Sequence, residues 1–274
     1  MELYKDILAA PHTLIAGATK SGKSNVMNGI LRELMMNYTP EQKSFYLIDP
    51  KIVELSPYKN TEFCLGYTSD YEEAAEMLDK IQADIKERYK AMEAAGVRET
   101  TKGHVYVFID ELADLFTSTI GNQIKVKVHR ITAIGRAAGY HVIMASQAPN
   151  RKILDPNVLL NTTNRLALHC VQGIESRQII NQTGAEKLPQ HGKGLYLSPE
   201  GLTGVDVPLT PDNTELIRKW ERKAIAPTYT PPAPSTYKYT YRTYPSYKKD
   251  KTSIIDTIKI ACVILGILFL WSIM

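Results

Sequence analysis

Residues 13–24 constrain this chain more than any other stretch. A short apolar run, Leu14-Ile15-Ala16, reads as a buried strand. It enters Gly17-x-x-x-x-Gly22-Lys23-Ser24, and a helical pattern follows in which Val26, Ile30, Leu34 and Met35 share one face. Strand, glycine-bounded loop and helix in that order are the context of a phosphate-binding P-loop. Loop N–H groups can then cradle phosphate oxygens, and the positive end of the helix dipole adds to the attraction. This assigns Gly17, Ala18, Thr19, Lys20, Ser21, Gly22, Lys23, Ser24 and Asn25 to nucleotide binding. Lys23 is expected to reach the β- and γ-phosphates of ATP, and the Ser24 hydroxyl to ligate Mg²⁺.

The rest of the pattern supplies an α/β frame. The helix after the loop is expected over 23–37, and a buried strand over 44–48. An amphipathic helix is expected over 70–95, where Leu78, Ile81, Ile85, Tyr89 and Met92 recur at spacings of three and four. Val105–Ile109 reads as the most apolar strand, followed by a helix over 121–138 and strands at 140–146 and 165–170. A short helix at 175–182, a strand or hairpin at 193–197 and a closing helix over 211–223 complete the body. Strands alternating with helices imply a mostly parallel sheet flanked by helices on both faces.

A P-loop needs a partner carboxylate. The strand at 105–109 delivers Asp110-Glu111, so Asp110 is expected to hold Mg²⁺ through water or through Ser24. Glu111 would polarise the attacking water as general base. The same pair could instead cap a helix. Gln147, at the end of the next strand, can sense the γ-phosphate or orient water. An arginine acting on the developing charge is also needed, and Arg136, Arg165 and Arg177 are candidates.

Charge excludes an argument from bulk electrostatics. The chain carries 33 Lys and Arg against 29 Asp and Glu. Residues 226–251 hold Lys238, Arg242, Lys248, Lys249 and Lys251 against Asp250, so the remainder is neutral. Nucleic-acid binding by the body would need a local patch. Cys64, Cys170 and Cys262 have no metal-ligand spacing, and reduced thiols are expected.

Composition shifts after Ala226. Residues 226–253 are rich in Pro, Tyr and Lys and read as an extended linker. Its tyrosines could stack on bases, sit at a membrane interface or belong to a spacer. Residues 254–274 are almost wholly apolar, and these 21 residues would span about 30 Å as a helix. The expectation is a single C-terminal transmembrane anchor. Lys248, Lys249 and Lys251 before it put the body, residues 1–225, on the cytoplasmic face of the cell membrane.

Several segments, taken in order, resemble the FtsK/SpoIIIE family of DNA translocases within the FtsK–HerA group. They are Pro11-His12 with the P-loop, Asp49-Pro50-Lys51 followed by Glu54-Leu-Ser, Glu87-Arg-Tyr-Lys-Ala-Met92 and Asp110-Glu-Leu-Ala-Asp114. Gly135-Arg136-Ala-Ala-Gly139-Tyr-His141, Ser146-Gln147, Glu175-Ser-Arg177, Gly184-Ala-Glu186 and Gly192-Lys-Gly194 follow. The resemblance covers about residues 11–208. It implies a RecA-like ATPase motor forming a homo-oligomeric ring, a hexamer, around DNA, with double-stranded DNA the expected cargo. It also implies that Arg136 is the arginine acting in trans. The chain departs from the family at Ala148 and Leu159, where basic residues are common, and at Lys20, often glycine; Arg151 and Lys152 lie nearby. With linker and anchor expected directly after the motor, and no winged-helix module, a motor of a plasmid, conjugative element or virus is expected. ATPases of protein export or filamentous-phage assembly are the alternative, and a nucleotide-binding adaptor without turnover a third.

Overall fold

The computed structural model describes residues 3–147, 153–154 and 156–222. The linker expected over 226–253 and the membrane helix over 254–274 lie outside the described residues. Among the described residues no helix is long and apolar enough to cross a membrane.

Eight strands form one sheet. They are β1 (His12–Ala16), β2 (Lys43–Ile48), β3 (Cys64–Thr68), β4 (His104–Ile109), β5 (Tyr140–Ser146), β6 (Asn164–Ala167), β7 (Lys193–Ser198) and β8 (Gly201–Asp206). Their order is β3-β2-β4-β5-β1-β6-β7-β8. The first six run parallel, and β7 and β8 close one edge as an antiparallel hairpin. The expected strand at 165–170 is shorter, and the 193–197 segment is the first arm of that hairpin.

Strand alternation builds two cores. Leu14, Val107, Val142 and Met144 face one side, with α3 (Tyr71–Ala95), α4 (Leu112–Thr117) and α5 (Gly121–Ile134) packed over them. Their sequence neighbours Ile15, Phe108 and Ile143 face the other side, under α1 (Leu3–Ala9) and α2 (Lys23–Asn37). The side-chain period of two in a strand permits nothing else. α2 buries Val26, Met27, Ile30, Leu31, Leu34 and Met35, each worth about 1.5–3 kcal/mol against exposure. Ile30→Ala would therefore cost about 2–5 kcal/mol.

α3 begins at Asp70, whose side chain accepts from Glu73 N–H, and ends at Gly96 in the left-handed region. The helix expected to reach 138 stops at Ile134, because residues 135–139 turn back sharply into β5; Tyr140 N–H donates to Gly135 O. Three further elements are α6 (Pro156–Asn161), α7 (Gly173–Ile180) and α8 (Thr214–Lys219). α8 is shorter than the closing helix expected, with Asn213 rather than Pro211 at its start. Its end docks against the β3 edge. Trp220 meets Phe63 edge-on at 4.8 Å, and Glu62 N–H donates to Trp220 O.

Candidate active site

The site forms where the carboxyl ends of β2, β4, β5 and β1 lie side by side, the edge at which parallel α/β sheets bind ligands. The loop after β1 is fixed at its base. Gly17 N–H donates to Ser146 O at 3.4 Å, and Ala18 N–H to His169 O at 2.8 Å. A Cβ at Gly17 would lie 2.8 Å from Ser21 Oγ and 3.0 Å from His169 O, so only glycine fits without displacement. Gly22, at φ 99°, caps α2. Lys20 holds φ 63°, the conformation that explains why glycine is common there.

Lys23 Nζ lies within the loop, donating to Gly17 O at 2.7 Å and Ala18 O at 2.8 Å. Burial lowers its pKa to about 8, with Glu111 and Asp110 opposing the shift. It stays cationic at neutral pH. Thr19 Oγ1 donates to Gln147 Oε1 at 3.0 Å, which ties the loop to the end of β5. Asn25 faces away from the loop interior: its Nδ2 donates to Pro208 O and its Oδ1 accepts from Thr210 N–H. Its visible work is stapling residues 208–210 to α2.

Asp110 and Glu111 follow β4. Glu111 is buried, and its Oε1 accepts from Gln147 N–H at 3.1 Å and from Ala113 N–H at 3.4 Å. Glu111 thus caps α4 with the carboxylate that the other reading makes the general base. Its Oε2 pairs with Lys51 Nζ at 3.2 Å, and Lys51 also lies 3.7 Å from Asp114. Asp110 is pushed up to about 7, first by burial and then by the carboxylates Asp49, Glu54 and Glu111, with Lys51 opposing.

One expected contact is replaced. The Ser24 hydroxyl donates its proton to Glu54 Oε1, at 2.6 Å, rather than to Asp110. Asp49 is fully buried; its Oδ2 accepts from Leu55 and Ser56 N–H, and its Oδ1 has no partner. Asp49, Glu54, Asp110 and Glu111 are thus set against Lys23 and Lys51, with one carboxylate oxygen orphaned and Asp110 strained toward protonation. A divalent cation fits that imbalance. Ser24 and Asp110 would hold Mg²⁺, which when bound neutralises phosphate charge. Among the described residues no group of three or more His, Cys, Asp or Glu side chains forms a metal site by itself.

Beside the loop lies a cavity of about 640 Å³, lined by Lys20, Gly22, Asn25, His191, Val207 and Leu209. Its apolar lining next to the phosphate loop suits a nucleotide base.

Arg136 stands apart. It lies between α5 and β5, at the amino end of the sheet, opposite the P-loop. It is exposed and lines a hollow of about 210 Å³ with Glu99, Thr100, His104 and His141. Arg165 is used within the chain, donating to the carbonyls of Thr162, Ile179 and Leu159. Arg177 is exposed near the end of α7.

Sequence reasoning gave no role to Asp49, Lys51 or Glu54, which reach the site from 25 to 62 residues away along the chain. The signal was the Asp-Pro-Lys run closing β2, an apolar strand ending in charges as β4 does.

A phosphate-binding loop on a central parallel strand, with an Asp-Glu pair two strands away, defines a P-loop ATPase domain. Comparison with known proteins narrows the class. The model of the FtsK/SpoIIIE family matches residues 2–107. The DNA translocase FtsK of Chlorobaculum tepidum is 33% identical over 216 residues, covering 72% of this chain and 27% of that protein. FtsK of Staphylococcus aureus is 34% identical over 208 residues, 68% of this chain and 26% of that protein. Within the P-loop ATPases, then, the chain is FtsK/SpoIIIE-like. It spans about a quarter of the length of these relatives.

Among solved structures, the pCW3 conjugation coupling protein TcpA superposes with a TM-score of 0.69 at 21% identity, over 78% of this chain and 66% of that one. The cytoplasmic domain of the type VII secretion ATPase EccC of Thermomonospora curvata gives 0.65 at 19% identity, over 78% and 28%. Both likenesses concern the fold.

Proposed function

We propose that this chain is an ATP-driven DNA translocation motor that works as a ring of identical subunits, held at the cytoplasmic face of a membrane by residues 254–274. The observation that carries the reading is the split of the chemistry between the two ends of the sheet. Lys23, Ser24, Asp110 and Glu111 meet at the carboxyl end, whereas Arg136 is exposed at the amino end, out of reach of its own P-loop. A neighbouring copy could present Arg136 to that P-loop and complete the site. Lys23 and Arg136 would stabilise charge on the transferred phosphoryl group. Glu111 would take the proton of the attacking water once Lys51 no longer pairs with it, and Gln147 would report on phosphate through Thr19. The relatives named as DNA translocases support DNA as cargo, and duplex DNA is the form proposed. The basic residues Arg151 and Lys152 supply local charge in a body that is neutral overall.

The test is ATP turnover by the full-length chain in detergent, with and without linear double-stranded DNA. Stimulation by DNA is expected. Glu111→Gln should lower turnover about 10²–10⁴-fold while ATP still binds. Arg136→Ala subunits should regain activity when mixed with Lys23→Ala subunits. Turnover indifferent to DNA would refute the DNA cargo and favour a motor for protein export or virion assembly. Full activity of Arg136→Ala alone would refute the shared site.

A further inference from the structure

We propose that Glu54 is a positioning residue for the metal end of the ATP site, holding the Ser24 hydroxyl so that its lone pairs face the cation. This rests on the ATP-site reading above, but not on DNA as cargo.

A serine hydroxyl has one proton and two acceptor pairs. Left alone at a helix start it rotates, and only some rotamers aim a lone pair at a metal. Here Ser24 Oγ gives its proton to Glu54 Oε1 at 2.6 Å, the length of a charge-assisted hydrogen bond. The proton being committed, the lone pairs are directed away from Glu54. The carboxylate also raises the electron density on the oxygen, as outer partners of metal ligands do elsewhere.

The chain invests structure in this contact. Glu54 sits on the turn after β2, which folds back on Asp49. Asp49 O accepts from Ile52 N–H at 3.1 Å, and Asp49 Oδ2 accepts from Leu55 N–H at 3.0 Å and Ser56 N–H at 3.3 Å. To close the turn, Ile52 adopts φ 57°, which a β-branched residue rarely accepts. Ile52 and Val53 are left exposed, so the turn is not shaped by burying them. Its outcome is the return of one carboxylate to the second residue of α2. Asp49 Oδ1 is buried and without a partner, and the Asp49 carboxylate is near enough to Asp110 to raise it. A carboxylate that met only Ser24 and other carboxylates would weaken the site; beside a divalent cation its charge is favourable.

The experiment uses the full-length chain and two readouts that need no turnover. Free Mn²⁺ is measured by electron paramagnetic resonance in the presence of ADP, which gives the metal affinity of the nucleotide complex. Binding of a fluorescent ADP analogue in EDTA gives metal-free nucleotide affinity. Glu54→Gln, which keeps shape but not charge, should weaken Mn²⁺ about 10–100-fold. Metal-free nucleotide affinity should stay within about threefold, because the phosphate cradle is built from the loop backbone. Glu54→Asp keeps the charge but draws it back by one methylene, and should also weaken Mn²⁺. It supplies the decision if Glu54→Gln fails to fold. Unchanged Mn²⁺ affinity, or an equal loss of nucleotide affinity in EDTA, overturns the inference. Wild-type chain that binds no Mn²⁺ with ADP would overturn the ATP-site reading as well. Normal Mn²⁺ binding, weakened in the variants, beside DNA-independent turnover would refute only the cargo.

Discussion

Arg88→Met should destabilise the body by about 3–5 kcal/mol, from two carbonyls left without a donor and a lost cation–π contact. Arg88 is buried on α3 and is engaged on every side. Its Nε donates to Asp84 Oδ2 at 2.7 Å, and one terminal nitrogen donates to Gly103 O at 2.9 Å and Ala138 O at 3.0 Å. The guanidinium lies 4.8 Å from the centre of the Tyr140 ring, and Tyr140 OH donates to Asp84 at 2.5 Å. One side chain thus pins the two segments flanking Arg136 and the strand that follows. Methionine keeps the stem but removes every donor. Each carbonyl left unpaired costs about 1–3 kcal/mol, and the lost cation–π contact about 0.5–2 kcal/mol. Asp84 is assigned no cost, because it is exposed enough for water to rehydrate it. For a body of this size 1 kcal/mol shifts Tm by about 2–4 °C, so a fall of about 6–20 °C is expected in calorimetry. Arg88→Lys should lose most of the same stability, since one ammonium cannot reproduce the fork. Hydrogen exchange localises the effect: Thr100 N–H, which donates to Ala137 O at 2.9 Å, should exchange faster in both variants. A loss below about 1 kcal/mol, the worth of an exposed i,i+4 pair, would refute this account of Arg88.

Three other outcomes follow from the geometry. Gly17→Ser should cost more stability than Gly17→Ala, because added atoms meet Ser21 and His169. Gly22→Ala and Gly22→Ser should cost alike, about 1–2 kcal/mol, because Gly22 meets nothing within 4 Å and pays only for its φ of 99°; urea melts that reverse this order would contradict it. Burial, aided by the neighbouring histidine, lowers His12 to about 3 and His141 to about 4, from 6.5. The unfolded chain then binds more protons below pH 6.5, so stability falls as pH drops through that value. Between pH 7 and 5.5 the two histidines should cost about 2–3 kcal/mol while Asp110, raised to about 7, takes up a proton and returns about 1–2 kcal/mol, so a net loss of about 1 kcal/mol is expected and a gain in stability would count against it. Ile52→Asn should stabilise by about 0.5–1 kcal/mol, because asparagine tolerates a φ of 57° and Ile52 is exposed; a lowered Tm would show that Ile52 is held by something other than strain.

Periodicity carried the long elements. α2 occupies the expected 23–37, and α3 differs by one residue from the expected 70–95, because its apolar stripe is unbroken and Asp70 and Gly96 mark its ends. β4 and β5 were legible as apolar runs buried on both faces. Short elements were not. β3 is an edge strand of five residues containing Gly66, too brief and mixed to show a period. α4 was hidden by the Asp-Glu pair, which reads as chemistry while also being a helix start. α8 was drawn too long because Pro211 resembles a first-turn proline, whereas Asn213 begins the helix and its side chain bonds Asn28 O and Tyr58 Oη. The site was legible wherever one local motif holds several members. Lys51 on Glu111 and Glu54 on Ser24 join residues 60 and 30 positions apart, and no local pattern encodes such a pairing.

The base of the P-loop has a mechanical consequence. Gly17 and Ala18 are bonded to the ends of both flanking strands, and Leu168 N–H returns to Ala16 O. The base of the phosphate loop is therefore held by backbone bonds to the sheet. The contacts around the rest of the site end in single side chains instead: the lysine on Glu111, the threonine on Gln147, the carboxylate on Ser24. Each can be broken and remade without disturbing the sheet.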